Sequence, residues 1–155
     1  MKALEDFSVG QRFDLGPYRV GAQEIIDFAV QFDPQLFHTE QSHERTLAVG
    51  GLMASGWHTT AIFMRMAVDA YMGETATLTS PGVDQVRWLA PVRPDDVLSG
   101  VTEVTVARAS ASKPDRGIVK ADVRIWNQNA IDVLTLTTTT FVMTRSGVTE
   151  LDGSV

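Results

Sequence analysis

The chain contains no cysteine, which removes disulfides, thiolate zinc sites and cysteine nucleophiles together. Histidine is scarce too, with three in 155 residues, so the placing of each one is informative. Basic residues are outnumbered, 13 against 19 acidic, and the net charge of −6 excludes a general nucleic-acid binder, which needs a basic surface. An anionic small ligand is still compatible, because it needs only a local cluster of Lys or Arg. No apolar run is long enough to cross a bilayer, so no membrane association is expected. Glu5 and Asp6 fall where a signal peptide would carry its apolar core, and a cytoplasmic location is the expectation. Repeats, low-complexity tracts and Gly/Ser/Pro-rich linkers are also missing, and residues 1–155 read as one domain.

What is present is an ordinary globular composition, 44% apolar and 21% charged. Residues 10–20, GQRFDLGPYRV, read as an opening strand broken at Gly16-Pro17. Residues 22–32 follow with Ile25, Phe28, Ala29 and Phe32 at helical spacing, a short helix that must stop before Pro34. Residues 39–45 are polar, with room for another helical turn. Residues 50–73, GGLMASGWHTTAIFMRMAVDAYMG, form the strongest element: Met53, Trp57, Ala61, Met64, Val68 and Tyr71 make one helical stripe, with Gly73 as its stop. Apolar and small residues off that stripe predict a helix buried on most sides.

Thereafter the period changes to two. Val86, Trp88 and Ala90 alternate with Gln85 and Arg87; residues 96–109 are rich in Val and Thr. Val119, Ala121, Val123 and Ile125 oppose Lys120, Asp122 and Arg124, and residues 131–144 close on a β-branched run. Gly/Pro/Asp clusters at 91–96 and 112–117 read as turns. The expected fold is α+β: a meander curved around one long helix, with an open sheet edge that a second copy would protect.

Two features carry chemistry. Asp33 and His38 stand five positions apart around Pro34, which disfavours helix at Asp33 and so removes both from one regular helical face. Such a pair is weak alone, because Asp33 serves equally as a helix-end residue and His38 as a hydrogen-bonded loop histidine. The second feature is the cluster Gly50, Gly51, Ala54, Ser55 and Gly56 at the expected start of the long helix. Glycine inside a helix costs about 1 kcal/mol relative to alanine, so it needs a reason. Close packing of a neighbouring element is one. A ligand approaching unsatisfied N–H groups at the positive end of the helix, where an oxyanion is stabilised, is the other.

FDPQLFHTE, VGGLMASGWHT and GVDQVRWLAPVRPDD, in that order and spacing, resemble the MaoC-like dehydratases, hot-dog-fold relatives of the (R)-specific enoyl-CoA hydratases. The resemblance runs from about residue 10 to about residue 145. It implies a hot-dog fold in which Asp33 and His38 hold the reacting water, as the acid and histidine of the hydratases' D-x-N-P-L-H segment do. Gln35 occupies the Asn position and Leu36-Phe37 the Pro-Leu, a departure that bears on substrate preference. Gly51 corresponds to the family's oxyanion glycine, and Thr59 to a hydroxyl residue that supports the site. Gln35, Ser55 and Thr59 are the expected substrate contacts. A homodimer, or an assembly of dimers, is implied as well.

The chemistry so implied is hydration of a 2-enoyl-CoA thioester, or its reverse. Water addition needs hydroxide character at C3 and a proton at C2, which a carboxylate and an imidazole sharing one water can supply. No metal or redox cofactor is required; coenzyme A enters only as part of the substrate. Two rivals use the same fold: a thioesterase, which has no particular need for the Asp33–His38 pair, and a non-catalytic acyl-CoA-binding protein. His38 and His43 with Glu40 and Glu44 lack the spacing of a metal site. His58 is expected to be satisfied by a neighbour. Trp57, Trp88 and Trp126 are expected to be core aromatics. Arg87, Arg93, Lys113, Arg116 and Lys120 are candidates for coenzyme A phosphates, none assigned.

Overall fold

The change of period in the sequence is the change of architecture in the chain. A computed structural model describes residues 1–152. Strand β1 (Arg12–Arg19) leads into helix α1 (Ala22–Phe32), the short helices α2 (Leu36–Thr39) and α3 (Glu44–Ala48), and the long α4 (Gly56–Ala70). Strands β2 (Gly82–Trp88), β3 (Val97–Ala109), β4 (Arg116–Trp126) and β5 (Asp132–Met143) follow, and then α5 (Arg145–Asp152). The strands form one antiparallel sheet in the order β1-β3-β4-β5-β2.

Three strands, β3, β4 and β5, make the expected meander. β2 does not extend it: it crosses to the far edge and pairs with β5, so 89–96 is a crossover and not a hairpin turn. A bulge between Asp84 and Arg87, with Gln85 at φ 54°, also breaks the simple alternation expected there.

α4 lies on the sheet, but not by the stripe that the sequence suggested. Its buried residues are His58, Thr59, Ile62, Phe63, Met66 and Ala67. Ile62, Phe63, Met66 and Ala67 pack with Leu15, Leu98, Val123, Ile125, Leu134 and Leu136 in the main core. Full burial of each large side chain contributes roughly 1.5–3 kcal/mol. Trp57, Met64 and Val68 are exposed instead, as is Trp88 on β2. The helical period was legible, whereas the choice of face was not, because α4 has apolar residues on both sides. The expectation of a helix buried on most sides is therefore corrected, and so is that of Trp57 and Trp88 as core residues. Their rings meet edge to face with centroids 5.1 Å apart.

The start of the long helix is corrected as well. Gly50 and Gly51 do not open α4; they close α3. Gly50 at φ 87° donates its N–H to Leu47 O (3.0 Å), and Gly51 donates to Thr46 O (2.9 Å). Those two bonds with a left-handed glycine form a Schellman stop. α4 begins five residues later, where Ser55 accepts the Trp57 N–H as its N-cap. Gly56 has its own reason, since a Cβ there would lie 2.3 Å from the Trp88 ring.

Candidate active site

α1 ends at Phe32 because Pro34 cannot follow inside a helix, and Asp33 leaves it with φ −152° and ψ 66°. The turn sends the Asp33 carboxylate to the N-terminus of α4. There Oδ2 accepts the Ser55 hydroxyl (2.7 Å), while Oδ1 accepts the Gln35 side-chain amide (2.7 Å). The Ser55 hydroxyl thus donates to Asp33 and accepts from Trp57, tying the acid to the positive end of the helix. These bonds hold the Asp33 carboxyl below the usual carboxylate range. The Ser55 hydroxyl is the main cause, Gln35 and the charge of His38 assist, and partial burial opposes them.

His38 sits on α2 and is buried. Its Nδ1 lies 2.7 Å from the Met53 carbonyl, which can only accept, so Nδ1 carries the proton. Nε2 then faces Asp33 Oδ2 at 3.4 Å, longer than a direct hydrogen bond. With neutral imidazole both are acceptors. A water beside that line can give one O–H to each, which is the arrangement needed to pull a proton from water.

The backbone of Met53 docks this histidine: its N–H donates to Phe37 O (3.1 Å) on α2 and its carbonyl takes the His38 proton. An open cleft of about 410 Å³ adjoins His38, lined also by Met53, Gly56, Thr59, Trp88 and Arg93 among others.

The structure brings Asp33, His38, Gln35 and Ser55 together. Ser55, expected as a substrate contact, is fully buried and holds Asp33. Gln35 likewise spends its amide on Asp33. Thr59 lines the cleft, with its hydroxyl donated to Ser55 O (3.3 Å). Gly51, expected as the oxyanion donor, has its N–H committed to Thr46 O inside the α3 stop. At the head of α4, Gly56 N–H is a first-turn amide that the helix itself leaves without an acceptor, and Gly56 lines the cleft.

The other histidines are accounted for by neighbours. His43 caps α3 by accepting the Arg45 N–H. His58 Nε2 meets Glu24 Oε1 at 3.1 Å, its ring stacks on Phe28, and burial lowers its pKa. Among the described residues no group of three His, Asp or Glu side chains is placed to hold a metal ion. Arg93, weighed as a phosphate contact, gives its guanidinium to the carbonyls of Val49, Gly51 and Leu52. Sequence reasoning missed the roles of Met53 and Arg93, because contacts with backbone carbonyls leave no residue signature. The glycine pair did carry a signal, since glycine just past a short polar helix marks a stop.

An acid and a tautomer-fixed histidine flanking a place for one water, beside a helix N-terminus and on a sheet curved around that helix, define the hot-dog hydratase and dehydratase class of site. The chain belongs to the MaoC-like domain family, whose model matches residues 6–125. It is 39% identical to the MaoC-like dehydratase from Rhodospirillum rubrum, with a TM-score of 0.83 over 94% of this chain and 99% of that one. The (R)-hydratase from A. caviae is 22% identical, with a TM-score of 0.70 over 88% of this chain and 97% of that one, and shares the fold. A curated relative, the uncharacterized Bacillus subtilis protein YdeM, is 26% identical over 84% of this chain and 91% of its own length.

One prediction concerns Ser55. Ser55→Ala removes the α4 cap and is expected to cost about 1 kcal/mol, read from denaturant unfolding. It also removes the main cause of Asp33's lowered pKa. The carboxyl then takes up its proton at higher pH than in wild type, so the acid limb of the pH–rate profile should move to higher pH.

Proposed function

We propose that the protein is a hydro-lyase that adds water to, or removes it from, a 2-enoyl-CoA thioester. The observation that carries this reading is the Nε2–Oδ2 pair of acceptors, 3.4 Å apart, with the tautomer set by Met53 O. In hydration, Asp33 and His38 accept from one water, and its oxygen attacks C3 as a proton is lost to the pair. The C2–C3 π electrons move toward the thioester carbonyl to give an enolate, and the pair returns a proton to C2. The enolate oxygen needs a donor. With Gly51 N–H committed to Thr46, that role falls to the Gly56 N–H at the positive end of α4. Thr59 lines the same cleft, and Gln35 and Ser55 act by holding Asp33.

Following enoyl absorbance and free thiol in parallel tests this against the thioesterase reading. With crotonyl-CoA the expected result is loss of absorbance without thiol. Thiol release, or inertness toward enoyl thioesters of every chain length tried, would contradict it.

A homodimer is part of the same proposal. β2 is an open sheet edge with Val83 and Trp88 exposed, and the Trp57–Trp88 contact makes it continuous with the outward stripe of α4. Unpaired edges and apolar patches of this kind invite a second copy. Light scattering should give about twice the 16.9 kDa chain mass, and Trp57→Glu should lower it toward the monomer. A wild-type monomer at micromolar concentration would refute this.

A further inference from the structure

We propose that Arg93 is a positioning residue for the catalytic histidine, acting through the backbone of residues 49–53; the inference rests on the site proposed above. Three carbonyls converge on its guanidinium: Gly51 O at 2.5 Å and Leu52 O at 3.4 Å on one nitrogen, Val49 O at 2.7 Å on another. Val49 and Gly51 lie at the α3 stop; the glycine N–H groups take the carbonyls of Leu47 and Thr46, which leaves the Val49 and Gly51 carbonyls to a side chain. A planar fork with several fixed N–H donors can collect such carbonyls, whereas a lysine offers a point charge without that geometry.

The next peptide carries the effect to His38. In a trans peptide the carbonyl and the following N–H point in opposite directions. Arg93 holds the chain by Gly51 O at 2.5 Å, two residues before Met53, and Leu52 O stands on the same side at the longer distance of 3.4 Å; Met53 N–H therefore faces the other way, where Phe37 O on α2 accepts it at 3.1 Å. Met53 O in turn accepts the Nδ1 proton of His38 at 2.7 Å. Arg93 thus fixes the segment that fixes the tautomer, leaving the Nε2 lone pair toward Asp33.

Arg93 is itself anchored. Its backbone N–H donates to Asp96 Oδ2 (2.8 Å), buried Asp96 accepts Gln128 Nε2 on Oδ1 (2.9 Å), and Gln128 Oε1 accepts Val97 N–H (2.9 Å). A side chain reserved for a mobile phosphate would not be expected to spend both terminal nitrogens on backbone. The close approach also explains part of the glycine pair, since a Cβ at Gly50 would stand 3.0 Å from an Arg93 terminal nitrogen.

The test is nitrogen NMR of the His38 imidazole in wild type, Arg93→Ala and Arg93→Lys, together with steady-state kinetics. Wild type is expected to show one tautomer, protonated at Nδ1. Both variants are expected to show mixed tautomers and to lose about 10- to 100-fold in kcat with KM little changed, the size expected for a displaced catalytic group. Added guanidinium should restore kcat and the single tautomer in Arg93→Ala. If the alanine variant fails to fold, the lysine variant decides. A single Nδ1-protonated tautomer in the folded variants would overturn the proposal, as would a defect confined to KM, the mark of a phosphate contact. The tautomer readout needs no substrate, so it stands apart from whether enoyl thioesters are turned over.

Discussion

His38→Ala is expected to reduce hydration of a 2-enoyl-CoA by roughly 100- to 10,000-fold in kcat, and Asp33→Asn by a similar factor. The reason lies in the two acceptors. The amide introduced by Asp33→Asn keeps the shape but only one of the two acceptor oxygens, and cannot take a proton; His38→Ala removes Nε2 while leaving Met53 O without its donor. Because the two groups act on one water, their losses should not add: the double variant should be little worse than either single one. Circular dichroism should remain that of wild type in Asp33→Asn, which preserves shape. Steady-state rates for the three variants check this, and losses that multiply would mean the pair does not share one step.

The second large effect is on stability. Phe63 is among the largest fully buried side chains and faces the sheet within the main core. Phe63→Ala is expected to cost about 3–5 kcal/mol through lost transfer free energy and the cavity left behind. For a chain of this length that lowers the melting temperature by on the order of 10 °C. Met64, the adjacent residue, is exposed on the outward stripe of α4. Met64→Ala should leave the core intact and weaken association, seen as a melting temperature that depends less steeply on protein concentration. Thermal unfolding of both variants at two concentrations separates the faces. Equal, concentration-independent losses would mean the face assignment is wrong.

The same pair of residues shows how far the sequence could be read. A step of three and four residues along 53–71 announced a helix, and alternation along 119–125 announced a strand, because each period is printed directly in the order of side chains. Which face of the helix meets the sheet is not printed when both faces are apolar; it is decided by packing against Leu98, Ile125 and Leu134, residues far away in the chain. The crossover of β2 to the far edge is hidden for the same reason, since local alternation names no partner.

At the site, Asp33 and His38 were weak by residue type and spacing alone and stood out through the resemblance of their segment to that of the hydratases; the geometry joins them. The part played by Gly51 was not legible. The resemblance suggested a backbone donor, but its N–H answers to Thr46 O in the α3 stop, a bond that depends on where α3 ends. Ser55 was legible as polar and near the helix start, yet only the fold shows that it faces Asp33. Side chains that act on backbone, such as Arg93, leave the least trace.

Mass spectrometry of the product formed from a 2-enoyl-CoA in water enriched in oxygen-18 tests the central claim most directly. One solvent oxygen placed on C3 by the Asp33–His38 pair predicts label in a 3-hydroxyacyl-CoA whose thioester is intact, formed at least about 100-fold more slowly with Asp33→Asn. Label in a released carboxylate, or an unlabelled and unchanged substrate, would contradict it.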